Sequence, residues 1–241
     1  MSNSVQIIPF TNLALAFIPV FVVAGILYKW TAEGSNTLYA VFRMLVQLLL
    51  IGYFLIFIFE SDSGWVVMGV LVVMLCTSSW IALRTIKSHR LLLYKKAFYA
   101  ITLGGGITLL LITQGVLDLN PWYSPRYLIP LAGMIFANAM NSVSLAAERL
   151  TAEMQRDVQY EKARNIAFRA SLIPITNSLF AVGLVSLPGM MTGQILSGIS
   201  PLIAVRYQIM VMCMVFASAG ISSACFLKLL EPQYMIQPTE E

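Results

Sequence analysis

Long apolar runs separated by short polar intervals organise the chain. They lie at residues 7–28, 38–59, 64–83, 98–117, 127–147, 171–190 and 205–227. Each is close to or above the roughly 18 residues that a helix needs to cross about 30 Å of hydrocarbon. In lipid a single chain can satisfy its backbone groups only within a helix, and the runs lack the alternation of a barrel strand. The pattern predicts an all-α, polytopic membrane protein of about seven transmembrane helices, forming one transmembrane domain over 1–241. The first run has no basic flank and no small-residue cleavage site, so it is expected to be an uncleaved helix.

The polar intervals orient those helices. Arg84, Lys87, Arg90, Lys95 and Lys96 crowd the third interval, and Arg149, Arg156, Lys162, Arg164 and Arg169 crowd the fifth. Basic connections stay cytoplasmic. The second interval offers Glu60 and Asp62 without a basic residue, and the fourth has Asp118 with Arg126. Seven crossings place the N-terminus outside and the C-terminus, after Lys228, in the cytoplasm. Composition agrees, with 59% hydrophobic residues and only 11% charged against roughly 25% in a soluble domain. The net charge of +4 follows from topology and requires no nucleic acid. Cys76, Cys213 and Cys225 fall inside apolar runs and are expected to be free thiols.

Residues 148–169, ERLTAEMQRDVQYEKARNIAFR, contain no Gly or Pro and predict one amphipathic helix at the cytoplasmic surface. Its stripe would be Leu150, Met154 and Val158, leaving Arg149, Arg156, Glu161, Lys162 and Arg164 largely to solvent, a partner or anionic lipid.

Chemistry is scarce elsewhere. The only histidine, His89, sits in the third interval, and there is no phosphate-binding loop. Catalytic residues, a resident metal and a cofactor are therefore not expected. Gly104–Gly106 suit close helix packing or a kink. Polar residues inside the spans are costly and stand out. Asn138, Asn141, Ser142 and Glu148 fall mostly near one helix face, and Asn177 and Ser178 follow Pro174 by one turn. They could line a substrate path or hydrogen-bond neighbouring helices.

The stretch LPGMMTGQILSGISP, Leu187–Pro201, cannot be a straight helix. Pro188, Gly189, Met190, Met191, Thr192 and Gly193 form its break, and Gln194 adds an amide. It is either irregular backbone lining a cavity or an outer loop. Met190, Met191, Met210, Met212 and Met214 cluster nearby. Thioethers are soft ligands suited to Cu(I), but with no histidine or cysteine arranged beside them they read as packing.

The run PITNSLFAVGLVSLPGMMTGQILSGISPLIAVRYQI, Pro174–Ile209, resembles the signature of the FetB-type permease family, above all in VGLVSLPGMMTGQIL. A weaker echo covers Ala132–Leu150. These are bacterial ABC-transporter membrane subunits linked to iron export, with plant relatives linked to aluminium tolerance. The resemblance implies a homodimeric permease in the cell inner membrane, with ATP hydrolysis on a separate cytoplasmic ATPase. Glu161, Arg164, Arg169, Glu148 and Arg149 would couple to that ATPase, and Asn138, Asn141, Ser142, Asn177 and Gln194 would line the path. The chain departs from the family at Ala137, usually glycine, and in MQRDVQYEKA, which lacks a Leu-Gly-Ala element, while Glu161 and Ala163 match.

A stand-alone channel or secondary carrier is the alternative. Ion-coupled carriers normally hold ionisable residues at mid-membrane, and these spans hold almost none. An intramembrane enzyme would need a paired acid, base or nucleophile, which the spans do not supply.

Overall fold

The computed structural model describes residues 8–31, 34–60, 63–84, 86 and 90–235. Lys87, His89 and Asp62 lie outside the described residues. The protein is all-α, with no β-strand among the described residues. Its helices are α1 (Phe10–Leu15), α2 (Phe17–Thr31), α3 (Gly34–Phe59), α4 (Gly64–Ala82), α5 (Arg90–Ile101), α6 (Ile107–Leu110), α7 (Pro125–Met154), α8 (Tyr160–Ala181), α9 (Gly189–Leu196) and α10 (Pro201–Met235). Two π-helical segments, Thr102–Gly106 and Leu111–Val116, flank α6 and continue it into one span with α5.

Among the described residues, six helical stretches are long and apolar enough to cross a membrane. They are Thr11–Thr31, Asn36–Phe59, Gly64–Ala82, Arg90–Val116, Pro125–Met154 and Pro201–Glu231. The chain is thus a polytopic helical membrane protein. The expected seventh run, 171–190, is not one helix. It begins inside α8, which carries the charged residues of 160–169, and the helix ends at Ala181. Gly183 then turns the chain in the left-handed region, with φ of 82°, where glycine has no Cβ to clash. The break arrives one turn and a half before Pro188, which instead precedes the eight-residue α9.

A second difference concerns 148–169. In place of one helix, α7 runs on through Met154, the chain turns at 155–159, and α8 starts at Tyr160. Asp157 takes a left-handed conformation, with φ of 57°, and the Val158 amide donates back to the Glu153 carbonyl at 3.3 Å. Aspartate tolerates that region better than most residues, so a helix can stop here without glycine.

The chain forms two compact units, Met1–Asp62 and Ser63–Glu241. Within the first, α2 packs on α3, and large apolar side chains such as Phe21, Leu49, Phe54 and Phe57 are exposed, as lipid-facing residues should be. In the second, α7 is the centre, packed by α4, α8 and α10. Ile135, Ala139, Val143, Ala146, Ala147 and Leu150 recur at helical spacing and are fully buried. Small residues on that face let backbones approach. The closest approach is at Gly104, where a Cβ would stand 2.6 Å from the Ser222 backbone nitrogen and collide with the Ser222 hydroxyl. Gly105 meets Phe136 at 3.0 Å in the same way. Gly104 and Gly105 are therefore packing glycines, and the π-helical turn carries them against α10 and α7.

Candidate functional site

Polar side chains from two helices meet where α7, α8 and α10 enclose a cavity of about 100 Å³. Asn138, Asn141 and Ser142 come from α7, Ser171 and Ser178 from α8, and Ala219 closes the α10 side. The α7 residues fall at helix-face spacing, as a periodicity of 3.6 residues requires. Pro174 also lines the cavity, and having no N–H it leaves the Ala170 carbonyl without its usual helical donor. Ser142 Oγ donates to the Ser171 carbonyl at 3.4 Å, tying α7 to α8. Asn138 Nδ2 donates to the Met134 carbonyl at 2.8 Å, and Ser178 Oγ to the Pro174 carbonyl at 3.0 Å. The volume suits several waters or a small, partly hydrated ion, and the lining offers neutral oxygens without a carboxylate.

The other half of α8 is charged. Gln159, Glu161, Lys162, Asn165, Ile166 and Arg169 line an open groove of about 270 Å³. Arg164 lies beside it, 3.7 Å from Glu161 and donating to Asn165 Oδ1 at 3.4 Å. The preceding turn is braced by a buried carboxylate. Glu153 pairs with Arg149 at 2.6 Å and with Arg156 at 3.7 Å, while both arginines reach solvent. On the next element the Tyr160 hydroxyl donates to the Leu227 carbonyl, pinning the start of α8 to α10. A partner engaging this surface would grip the end of a helix whose other half walls the polar cavity.

A model of the uncharacterised protein family UPF0014 matches residues 10–235. The chain belongs to that family. It is 37% identical over 230 residues to a UPF0014 membrane protein of Synechocystis, covering 88% of each chain. It is 36% identical over 238 residues to the probable iron export permease protein FetB of Escherichia coli, covering 90% of each. The ALUMINUM SENSITIVE 3 protein of Arabidopsis thaliana is 32% identical over 238 residues, covering 92% of this chain and 85% of its own. No solved structure matches.

In this UPF0014 chain the structure joins some of the predicted site residues and separates others. Asn138, Asn141 and Ser142 share the polar cavity, whereas Asn177 is exposed on α8 and Gln194 sits on α9, neither lining it. Glu161 and Arg169 share the charged groove. Glu148 and Arg149 belong to α7, on the far side of the turn from them. Pro188 caps α9, and Gly189, Met190, Met191, Thr192 and Gly193 make its first five residues, with Thr192 Oγ1 donating to the Pro188 carbonyl at 3.2 Å. Ser171 and Glu153 carry parts of these sites that the sequence did not single out. Ser171 is four positions after Ala167 on the buried face of α8, a periodic signal that was available. The pairing of Glu153 with flanking arginines at i−4 and i+3 was equally visible.

Proposed function

We propose that this UPF0014 protein is the membrane-spanning permease subunit of an ABC transporter. It exports a metal ion, iron by analogy with the FetB relative, or a related small solute, and a separate cytoplasmic ATPase drives it. One observation carries the reading: α8 lines both the charged groove, from Gln159 to Arg169, and the polar cavity, from Ser171 to Ser178. Rising 1.5 Å per residue, the helix links residues 161 and 178 over about 26 Å. Displacement at the groove is transmitted to the cavity wall, because a helix moves as a stiff element between two packings.

Membrane placement follows from lengths. At 30 residues α7 spans about 45 Å, more than the hydrocarbon needs, so its Arg149–Met154 end projects from the bilayer. Charge puts that end, the groove and the basic third interval in the cytoplasm, with α8 rising from it and the N-terminus outside. The permease acts as a homodimer in the cell inner membrane, each copy presenting one groove to one ATPase. Asn138, Asn141 and Ser142 line the path and contact the passing cation through neutral oxygens. Iron normally draws carboxylate or imidazole ligands, so this lining favours weak, transient contact.

Co-expression with the partner ATPase tests the reading. The double reversal Glu161→Arg with Arg164→Glu is expected to abolish co-purification and transport-linked hydrolysis. Retention of both at native levels would remove the groove from coupling.

A further inference from the structure

A second cavity, of about 290 Å³, lies where the α8–α9 connection and α9 face α10. Met191 from α9 and Met212 and Cys213 from α10 line it together with Val205, Gln208 and Ile209. Two thioethers and a thiol thus share one apolar space, where the sequence alone suggested packing. Met210 and Met214 are buried in the core instead.

Gln208 is the informative residue. It is only 5% exposed, and neither Nε2 nor Oε1 has a hydrogen-bond partner among the described residues. A buried amide with both ends unmet is unfavourable, and leucine or methionine would fill the same volume without that cost. Four residues before Met212, it shares a helix face with that thioether. An amide oxygen with two thioethers and a thiol makes a donor set that suits a soft ion and does not suit a hard one.

We propose that this cavity binds a soft monovalent cation of the Cu(I) class through the sulfurs of Met191, Met212 and Cys213, with Gln208 as oxygen donor. On binding, the Cys213 thiol releases its proton to solvent and the thiolate sulfur bonds the cation, so no redox change occurs. Thiolate and monovalent cation sum to zero charge, the arrangement that an apolar cavity tolerates. The unbranched methionine side chains have three rotatable bonds with which to close on an ion. On the backbone side, α9 lies between Gly189 and the left-handed Gly198. The proposal stands independently of the permease reading, since it concerns binding to the chain by itself.

The test uses the full-length protein in detergent with Cys76→Ser and Cys225→Ser, leaving Cys213 as the sole thiol. Cu(I) is titrated against a competing chelator, and X-ray absorption counts its sulfur ligands. The expected result is one ion per chain with three sulfurs. Met191→Leu and Met212→Leu should each remove one sulfur and weaken binding about tenfold or more, and Gln208→Leu should weaken it several-fold with three sulfurs retained. No binding would overturn the proposal. So would binding unchanged in the Met191→Leu, Met212→Leu double variant, which marks capture by a bare thiol. Should the serine background fail to fold, the methionine variants in the native chain give the same comparison, since the other two thiols contribute equally to both sides.

Discussion

The two cavities that α10 helps to line are built on opposite principles. Around Asn138 and Ser142 the side chains of Asn138, Ser142, Ser171 and Ser178 donate to nearby carbonyls, so this polarity is stable whether or not anything occupies the space. Around Gln208 the walls are apolar and the one buried amide has no partner. The first arrangement offers many weak, equivalent contacts, which suit passage. The second concentrates a deficit that an occupant relieves, which suits residence. Polar content alone would have ranked them the other way, because the Asn138 cavity has more heteroatoms. What separates them is whether those atoms are already satisfied.

The largest expected effect sharpens the passage side. Replacing Asn138 and Asn141 together with leucine keeps the number and branching of the side-chain heavy atoms and removes the neutral donors and acceptors from the α7 wall. Transport into proteoliposomes with the partner ATPase should fall about tenfold or more, equivalent to about 1.4 kcal/mol or more on the rate-limiting barrier. Expression and thermal stability should change little, since both side chains are at least partly exposed. Native transport in this variant would place the path elsewhere and dissolve the contrast.

Next comes the residence side, with the opposite sign. Gln208→Leu should raise the stability of the ion-free protein by about 1 kcal/mol, because an unmet buried polar group costs roughly 1–3 kcal/mol. Thermal unfolding in detergent with a copper chelator present reads it. A loss of stability would mean that the amide is already engaged, and the two cavities would then differ only in composition.

Sequence pattern captured the membrane class well, for a physical reason: six of the seven apolar runs fall on helical stretches long enough to cross a membrane, since lipid leaves an apolar segment no other way to satisfy its backbone. It failed where stopping a helix depends on one backbone angle. Asp157 at φ of 57° divides 148–169 without glycine or proline, and Gly183 ends α8 ahead of the more conspicuous Pro188. The α7 face of the site was legible, because Asn138, Asn141 and Ser142 obey helical spacing. The α8 wall was half legible, with Ser178 following Pro174 by one turn and Ser171 unremarked. The sulfur cavity was half legible: the methionine cluster held Met191 and Met212, but no cysteine was seen beside them, because Cys213 joins Met191 only once α9 faces α10, some twenty positions on. Spacing within one helix cannot report such a contact.

The smallest effect asks whether the passage cavity is a scaffold or a path. Among the described residues Ser142 makes the one side-chain hydrogen bond from α7 to α8 at this site, and at 3.4 Å it is long. Interhelical bonds in membrane proteins average about 0.6 kcal/mol, so Ser142→Ala should cost no more than about that in reversible unfolding. The Ser171 carbonyl keeps its place in the α8 ladder, which limits the damage further. A cost above about 2 kcal/mol would show that the serine holds the two helices together, and that the cavity beside it is a consequence of structural polarity. A small cost accompanied by reduced transport would separate the two roles. The hydroxyl would then matter to the passing cation more than to the fold, as expected of a site whose serine donors are already directed to carbonyls before anything enters.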